Sequence, residues 1–166
     1  MGAITEEIRK APRMPEDPAE LLPELAEVSA ALFKAVGNGS LPRTTISLVH
    51  LRAGQIAGST YLTVLHTGFL RDAGAPEEQI TSVASWKDSP YFTGAERAAL
   101  ALVEAVLQPA AGGERVPEEL YAEAARHYEP RAFATLMCAI GQVGFFTPIA
   151  LIAKPVPGRS FTDPWK

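Results

Sequence analysis

The sequence predicts an all-α protein, a bundle of about six to seven helices. Two observations favour this fold: apolar residues recur at helical spacing with capping residues at their starts, and strand-like alternation of useful length is missing. The chain has 166 residues, of which 47% are apolar and 20% charged, as is typical of one ordinary folded domain. We expect a loose arm over 1–15, the helical domain over 16–154 and an extended tail over 155–166.

The first predicted helix begins at Asp17, which can cap it, with Pro18 at the first helical position. Glu20 completes a capping-box pattern, and the Gly37-Asn38-Gly39 run ends the helix. Three further helices are predicted in this half of the chain: from about Thr44 to Ala57, from about Ser59 to Gly74, and a short one that begins at Pro76.

Three more helices are predicted in the second half. Thr93 and Glu96 form a capping box at the start of a helix that runs to about Leu107. A Gly-rich loop over 109–116 follows, and Pro117 and Pro130 each stand at the start of a helix. The last helix contains 22 uncharged positions, 132–153, which is long enough to span a bilayer. Its polar, Gly and Pro residues favour a buried core or interface helix, so we expect no membrane contact.

Composition excludes several classes of function. The net charge of −4 and the scattered basic residues indicate no nucleic-acid partner. Cys138 is the only cysteine, so no disulfide can form within the chain, and a cytoplasmic location is expected. The charged N-terminus is unlike an export signal. Three histidines without clustered carboxylates indicate no metal, and we expect no cofactor.

Several motifs carry a resemblance to a known family. They are Gln55–Thr67 (QIAGSTYLTVLHT), Leu70–Glu78 (LRDAGAPEE), Trp86–Leu100 (WKDSPYFTGAERAAL) and Lys154–Gly158 (KPVPG). Together they resemble the alkylhydroperoxidase D-like / carboxymuconolactone decarboxylase superfamily over roughly residues 40–158. The resemblance implies a helical bundle that assembles as a trimer or hexamer, with its site near a subunit boundary.

The chain departs from the redox branch of that family at its sulfur atoms. That branch has Cys-x-x-Cys-x-x-x-His where this chain has Ser59, Leu62 and His66. The family's relay glutamate, twelve residues before the first cysteine, corresponds to Ser47. Because dithiol exchange needs an attacking thiolate and a resolving partner, we expect the thiol peroxidase activity to be lost.

His66 is the best candidate for a catalytic residue. Histidine exchanges protons near neutral pH without a cofactor, and the decarboxylase branch also lacks the cysteines and keeps this histidine. An inert core histidine is the alternative. Ser59 lies ~10.5 Å along the helix from His66, too far for a direct pair, and either caps the helix or donates to substrate. His50 is either a second proton-transfer group facing His66 or a surface imidazole.

The expected substrate contacts are Ser47, Tyr61, Leu62, Gly141 and Phe145. In the last helix, glycines and phenylalanines replace a polar patch that relatives often have. Small and aromatic residues suit a bulky apolar ligand, although close helix packing explains them equally well. Arg52 matches an arginine common in the family and is expected to form a structural ion pair.

Three hypotheses about function follow. The first is a cofactor-free lyase or isomerase that acts on a small, rather apolar molecule by decarboxylation, dehydration, ring opening or cyclisation, with His66 as general acid/base. The second is a non-catalytic ligand-binding or assembly protein on the same scaffold. The third is a residual antioxidant role that uses Cys138 between subunits.

Overall fold

The computed structural model describes residues 10–108 and 111–166. This part of the chain contains eight α-helices, one short 3₁₀ turn and no strand, which confirms the predicted all-α class. The helices are α1 (Pro18–Leu21), α2 (Glu24–Val36), α3 (Arg43–Ala57), α4 (Thr60–Asp72), α5 (Glu77–Thr81), α6 (Gly94–Leu107), α7 (Glu118–His127) and α8 (Pro130–Ile152), with the 3₁₀ turn at Val83–Ser85 between α5 and α6.

One predicted helix is interrupted. The region expected to be continuous from Asp17 to Val36 is divided into α1 and α2 at Leu22-Pro23. Leu22 has φ −128° and ψ 84°, because a following proline disfavours the helical conformation of the preceding residue. Asp17 caps α1 as predicted, by accepting a hydrogen bond from the amide of Ala19.

The predicted capping box of α6 is present. Thr93 accepts from the amide of Glu96 at 3.2 Å, and the Glu96 carboxylate accepts from the amide of Thr93 at 2.9 Å. The predicted ion pair of Arg52 is also present, with Glu104 at 2.8 Å. Glu104 also accepts from the Trp86 indole at 2.8 Å, which joins α3, α6 and the loop before α6.

Helix α3 lies at the centre and packs against α4, α6 and α8. The approach to α4 is close: a Cβ built on Gly54 would lie 3.0 Å from the Cβ of Leu62. The turn between the two helices uses Gly58 at φ 68°, a left-handed conformation that glycine adopts without steric cost. This close crossing holds α3 and α4 side by side, with α8 packed against both.

Helix α8 is the longest and most apolar helix. By length and composition it could cross a membrane, but the core helices of soluble proteins meet the same criteria. Only 39% of its most apolar window is buried within the chain. Its outward side exposes Met137, Phe145, Leu151 and Ile152, so this single chain leaves an apolar surface uncovered.

The C-terminal tail folds back on the N-terminal segment. The Trp165 indole donates to the carbonyl of Met14 at 2.9 Å, and the amide of Arg13 donates to the carbonyl of Ala153 at 2.9 Å. The first nine residues of the predicted arm lie outside the described residues, whereas residues 13 and 14 are held in these contacts.

Candidate functional site

A cavity of about 480 Å³ lies between α2, α3, α4, α8 and the tail. Its walls are mostly apolar, with aromatic rings from several separate regions of the chain. No carboxylate or lysine is among its described lining residues, and Arg43 is the one arginine there. The lining residues are Phe33, Val36, Gly37, Gly39, Leu41, Arg43, Ile46, Ser47, His50, His66, Phe69, Gln142, Val143, Phe146 and Phe161.

Two imidazoles face each other in this cavity. His50 of α3 and His66 of α4 have ring centroids 4.8 Å apart and tilted by 57°, and both are buried. His50 Nε2 lies 2.8 Å from the carbonyl oxygen of Ala139. Because a carbonyl only accepts, His50 carries its proton on Nε2, and its Nδ1 is a lone pair when the ring is neutral. The sequence left a surface position open for His50, and its burial against His66 rules that out.

His66 has no such anchor. Its Nδ1 is buried without a hydrogen-bond partner, and neither ring nitrogen bonds to any described part of the protein. The neighbouring ring of Phe69 meets it edge-on, with centroids 5.8 Å apart. Gln142 of α8 presents a second unpartnered buried atom to the same cavity, its Nε2. Buried polar atoms are nearly always paired with protein or ordered water, so two unpartnered atoms beside one cavity are open to hydrogen bonds from whatever occupies it.

Burial sets the charge of the two imidazoles. Loss of solvation, followed by repulsion from His50, lowers the pKa of His66 to about 3. Loss of solvation also lowers the pKa of His50 to about 4, although the hydrogen bond to Ala139 opposes the shift. Both rings are therefore neutral at pH 7, and a proton on one disfavours a proton on the other.

The other residues predicted from the redox motif lie in different places. Ser47 lines the cavity, one helical turn before His50. Ser59 does not line it: its hydroxyl accepts from the amide of Leu62 at 3.2 Å and caps α4. Leu62 is fully buried in the core, where it packs against α3. The two positions that hold sulfur in the redox branch are thus separated from the imidazole pair's cavity.

Tyr61 lines a second cavity of about 400 Å³ on the other side of the tail. Its ring meets Phe161 edge-on, with centroids 5.8 Å apart. Burial, followed by the charge of Asp163, raises the pKa of Tyr61 to about 12. Tyr61 is therefore a neutral wall residue outside the cavity that contains His66.

On α8 the cavity-facing residues differ from those expected. Gly141 and Phe145 are exposed and line neither cavity, whereas Gln142, Val143 and Phe146 face His66 and His50. Successive residues of a helix are rotated by about 100° around its axis. An error of one residue in the assigned face therefore replaces an inward-facing residue with an outward-facing one. Gln142 has a usable sequence signal that was missed: it is a long polar side chain within a stretch without charge.

The sequence also missed Arg43, Phe146 and Phe161, which come from a helix start, α8 and the tail. Only their tertiary arrangement brings them to one cavity. Over the residues that the structure describes, no group of three or more His, Cys, Asp or Glu side chains is placed to hold a metal ion.

Comparison with known proteins identifies the family of this helical fold. Residues 23–105 match the carboxymuconolactone decarboxylase family. The chain belongs to this family. A relative from Bacillus subtilis (strain 168), the uncharacterized protein YdfG, is 29% identical over 133 residues, which cover 80% of this chain and 88% of that protein.

Two solved structures share the fold of this carboxymuconolactone decarboxylase family member. A protein of unknown function from Agrobacterium tumefaciens, suggested to be the antioxidant defence protein AhpD, superposes with a TM-score of 0.78 at 27% identity, over 87% of this chain and 98% of that one. The debrominase Bmp8, solved as a cysteine-to-alanine variant in complex with 2,3,4-tribromopyrrole, has a TM-score of 0.69 at 22% identity, over 80% of this chain and 70% of that one. The second likeness shows the fold alone.

Proposed function

We propose that this chain is a cofactor-free enzyme that moves protons on a small, rather apolar organic molecule, in a reaction of the lyase or isomerase type. The observation that carries the proposal is His66, whose buried imidazole has no protein partner among the described residues and borders an apolar cavity of about 480 Å³. A structural histidine would normally bond to the protein through at least one nitrogen. An unpartnered one is available to a substrate.

The pair of neutral rings suits proton transfer. A neutral imidazole has one N–H donor and one lone pair, so it can accept a proton at one site and offer one at another. With a pKa of about 3, His66 is a weak base in its buried position. A negative charge close to the ring raises the pKa of an imidazole, so its strength as a base is expected to increase when an anionic substrate binds.

The cavity walls support an apolar substrate body. Phe33, Phe146 and Phe161 form one side, with ring centroids of Phe146 and Phe161 5.2 Å apart. Aromatic walls of this kind hold flat or branched hydrocarbon groups by burial and ring contact. The debrominase of the same fold holds a tribrominated pyrrole, a small apolar ring, which is in keeping with such a ligand here.

The experiment compares turnover by the wild type with turnover by His66→Ala. A panel of aryl and alkyl oxo acids, lactones and hydroxy acids is incubated in D₂O, and NMR follows product formation and deuterium uptake at carbon. Removal of a general acid/base lowers the rate by about 10²–10⁴-fold. His127→Ala is the matched control, because His127 is a partly exposed imidazole bonded to Glu123, outside the cavity.

Circular dichroism of His66→Ala is the check that the variant is still helical. Wild-type turnover in that folded variant would remove His66 from the mechanism.

A second candidate is a non-catalytic binding protein. The low pKa of His66 favours it, because a ring that stays neutral can hydrogen-bond a ligand without exchanging protons. Stoichiometric binding of panel compounds, with neither product nor deuterium uptake over long incubation, would support this function instead.

A residual antioxidant role would depend on Cys138, the single cysteine. Cys138 is exposed on α8 and does not line the cavity. The AhpD-like structure from Agrobacterium tumefaciens is the reason to measure peroxide reduction here. Peroxide consumption that persists in Cys138→Ser would exclude this cysteine as the reacting group.

We also propose that the chain assembles as a homo-oligomer, a trimer or hexamer, in the cytoplasm. The support is the apolar outer side of α8, where Met137 and Ile152 are 55% and 69% exposed. Large apolar surfaces are usually covered by a partner. Light scattering of the purified protein at several concentrations measures the assembly, and a monomer throughout would contradict it.

A further inference from the structure

Gln142 is the least expected residue in α8. It is 3% exposed and its Nε2 has no hydrogen-bond partner, whereas Thr135, the other buried polar side chain of α8, is bonded to Asn38 and Ser40. Leaving a buried amide donor unpaired is costly, and a leucine would fill the same space without that cost. The cost is recovered if a ligand oxygen in the cavity accepts from Nε2.

Arg43 supplies the charge. It is the first residue of α3, it is exposed at the cavity rim, and no described carboxylate lies within ion-pair distance of its guanidinium. The first turn of α3 adds amide groups that no side chain caps. An arginine beside a helix N-terminus favours negative charge. Carboxylates are missing from the described lining of the cavity, so the one formally charged side chain of that lining, Arg43, is cationic.

We propose that Gln142 and Arg43 form an oxygen-binding pair, so that the ligand of this cavity is an organic anion with a second oxygen. Arg43 binds the carboxylate at the rim, and Gln142 Nε2 donates to a carbonyl or hydroxyl oxygen deeper in the cavity. The apolar body of the ligand lies against Phe146 and Phe161. An oxo acid with an aryl or alkyl group has this combination of features. The inference rests on the proposed function only in placing substrate in this cavity.

The test uses three related compounds. Phenylpyruvate has both a carboxylate and a ketone oxygen, 3-phenylpropionate has only the carboxylate, and phenylacetone has only the ketone. Binding to the wild-type protein is measured by calorimetry and by ligand-observed NMR. Phenylpyruvate is expected to bind most tightly of the three.

The variants separate the two contacts. Gln142→Leu should weaken phenylpyruvate and phenylacetone about tenfold and leave 3-phenylpropionate unchanged. Arg43→Met should weaken both carboxylates by about tenfold or more and leave phenylacetone unchanged. The matched control is Arg131→Met, an exposed arginine in the first turn of α8 that lines neither cavity, which should change none of the three affinities.

A thermal measurement distinguishes a binding role from a structural one. Gln142→Leu should raise the melting temperature of the free protein, because it removes a buried unpaired donor from an apolar environment. A lower melting temperature would mean that Gln142 stabilises the fold. That result, equal affinities across all variants, or no binding of any of the three compounds at millimolar concentration would overturn the inference.

The outcome is independent of catalysis. If the binding pattern appears but neither product nor deuterium uptake is ever detected, the oxygen-binding pair stands and the enzymatic proposal fails. If turnover depends on His66 while Gln142→Leu and Arg43→Met bind as the wild type does, the enzymatic proposal stands and the pair fails.

Discussion

The two cavities of this chain are similar in size and share a wall, yet they differ in their polar groups. Their volumes are about 480 and 400 Å³, and both are bordered by Phe33, Phe146 and Phe161. The first contains two neutral imidazoles, an unpaired amide and an arginine without a described ion-pair partner. The second contains charges of both signs, from Asp17, Asp163 and Arg159.

In the second cavity the polar groups serve the fold. Asp17 caps α1, the Asp163 carboxylate accepts from the amide of Ser160 at 2.6 Å, and Arg159 donates to the carbonyl of Pro164 at 3.2 Å. These bonds hold the tail in position. In the first cavity His66 and Gln142 leave buried atoms without such bonds, so their burial is an unbalanced cost. The difference lies in the pairing: the protein itself satisfies the named polar groups of the second cavity, whereas in the first cavity it leaves His66 Nδ1 and Gln142 Nε2 open to a ligand.

The largest expected effect is acid destabilisation by the imidazole pair. The pKa values of His50 and His66, about 4 and about 3, lie below the ordinary 6.5. Below about pH 6.5 the two histidines therefore bind protons in the unfolded chain but remain neutral in the folded chain. The free energy of unfolding falls as the pH drops through this range. From about pH 8 to about pH 5 the loss should be ~2 kcal/mol for each histidine.

Urea unfolding across that pH range measures the loss. The double variant His50→Gln/His66→Gln should lose less stability on acidification than the wild type. Parallel pH profiles for the double variant and the wild type would show that the pair is not held neutral by burial.

The next effect concerns the shared aromatic wall. Phe161 belongs to the tail, is 42% exposed and separates the two cavities together with Phe146. Phe161→Ala should join them, so that a longer apolar chain fits. For straight-chain carboxylates, each added methylene that is buried should then improve affinity by about fourfold, beyond the length at which the wild type stops improving.

Affinity as a function of chain length is the measurement. Phe145→Ala is the control, since Phe145 lies on the outer face of α8 next to the same wall. If affinity stopped improving at the same carboxylate chain length in Phe161→Ala as in the wild type, Phe161 would not be the residue that separates the two cavities.

The sequence was sufficient for the fold, and the structure places His66, the residue singled out from the sequence, beside the larger cavity. It was insufficient for most of the other residues that line that cavity. Capping residues and glycines act locally, so α3, α4 and α6 could be placed within two residues of their observed ends. The contact of His50 with His66 depends instead on how closely α3 crosses α4 at Gly54. That crossing is a tertiary property without a periodic signal, which is why His50 remained ambiguous.

The prediction of which face of α8 lines the cavity was wrong for a related reason. A helix that is apolar on nearly every side has no clear amphipathic direction, so its sequence does not show which residues turn inward. The small and aromatic composition of α8 predicts ligand contacts at Gly141 and Phe145, and the structure turns Gln142 and Phe146 inward instead. Phe161 reaches the cavity from the tail, which local patterns cannot predict.

The smallest expected effects on stability and affinity come from replacing two serines, one in the redox motif and one in the first cavity. Ser59 occupies a cysteine position of the redox branch and caps α4, whereas Ser47 occupies the glutamate position and lines the cavity. Ser59→Ala should lower the free energy of unfolding by ~1 kcal/mol, the usual cost of losing a cap, and leave ligand affinity unchanged. Ser47→Ala should do the reverse, with little change in stability and a severalfold loss of affinity, the size expected for one hydrogen bond.

Urea unfolding and calorimetry on the two variants provide both quantities. Both variants remove a buried serine hydroxyl, so any difference between them is due to where the serine lies and not to the group that is removed. If Ser59→Ala reduced affinity and Ser47→Ala did not, the ligand would bind near Ser59 and Leu62, the positions that hold sulfur in the redox branch, and the cavity beside His66 would not be the site.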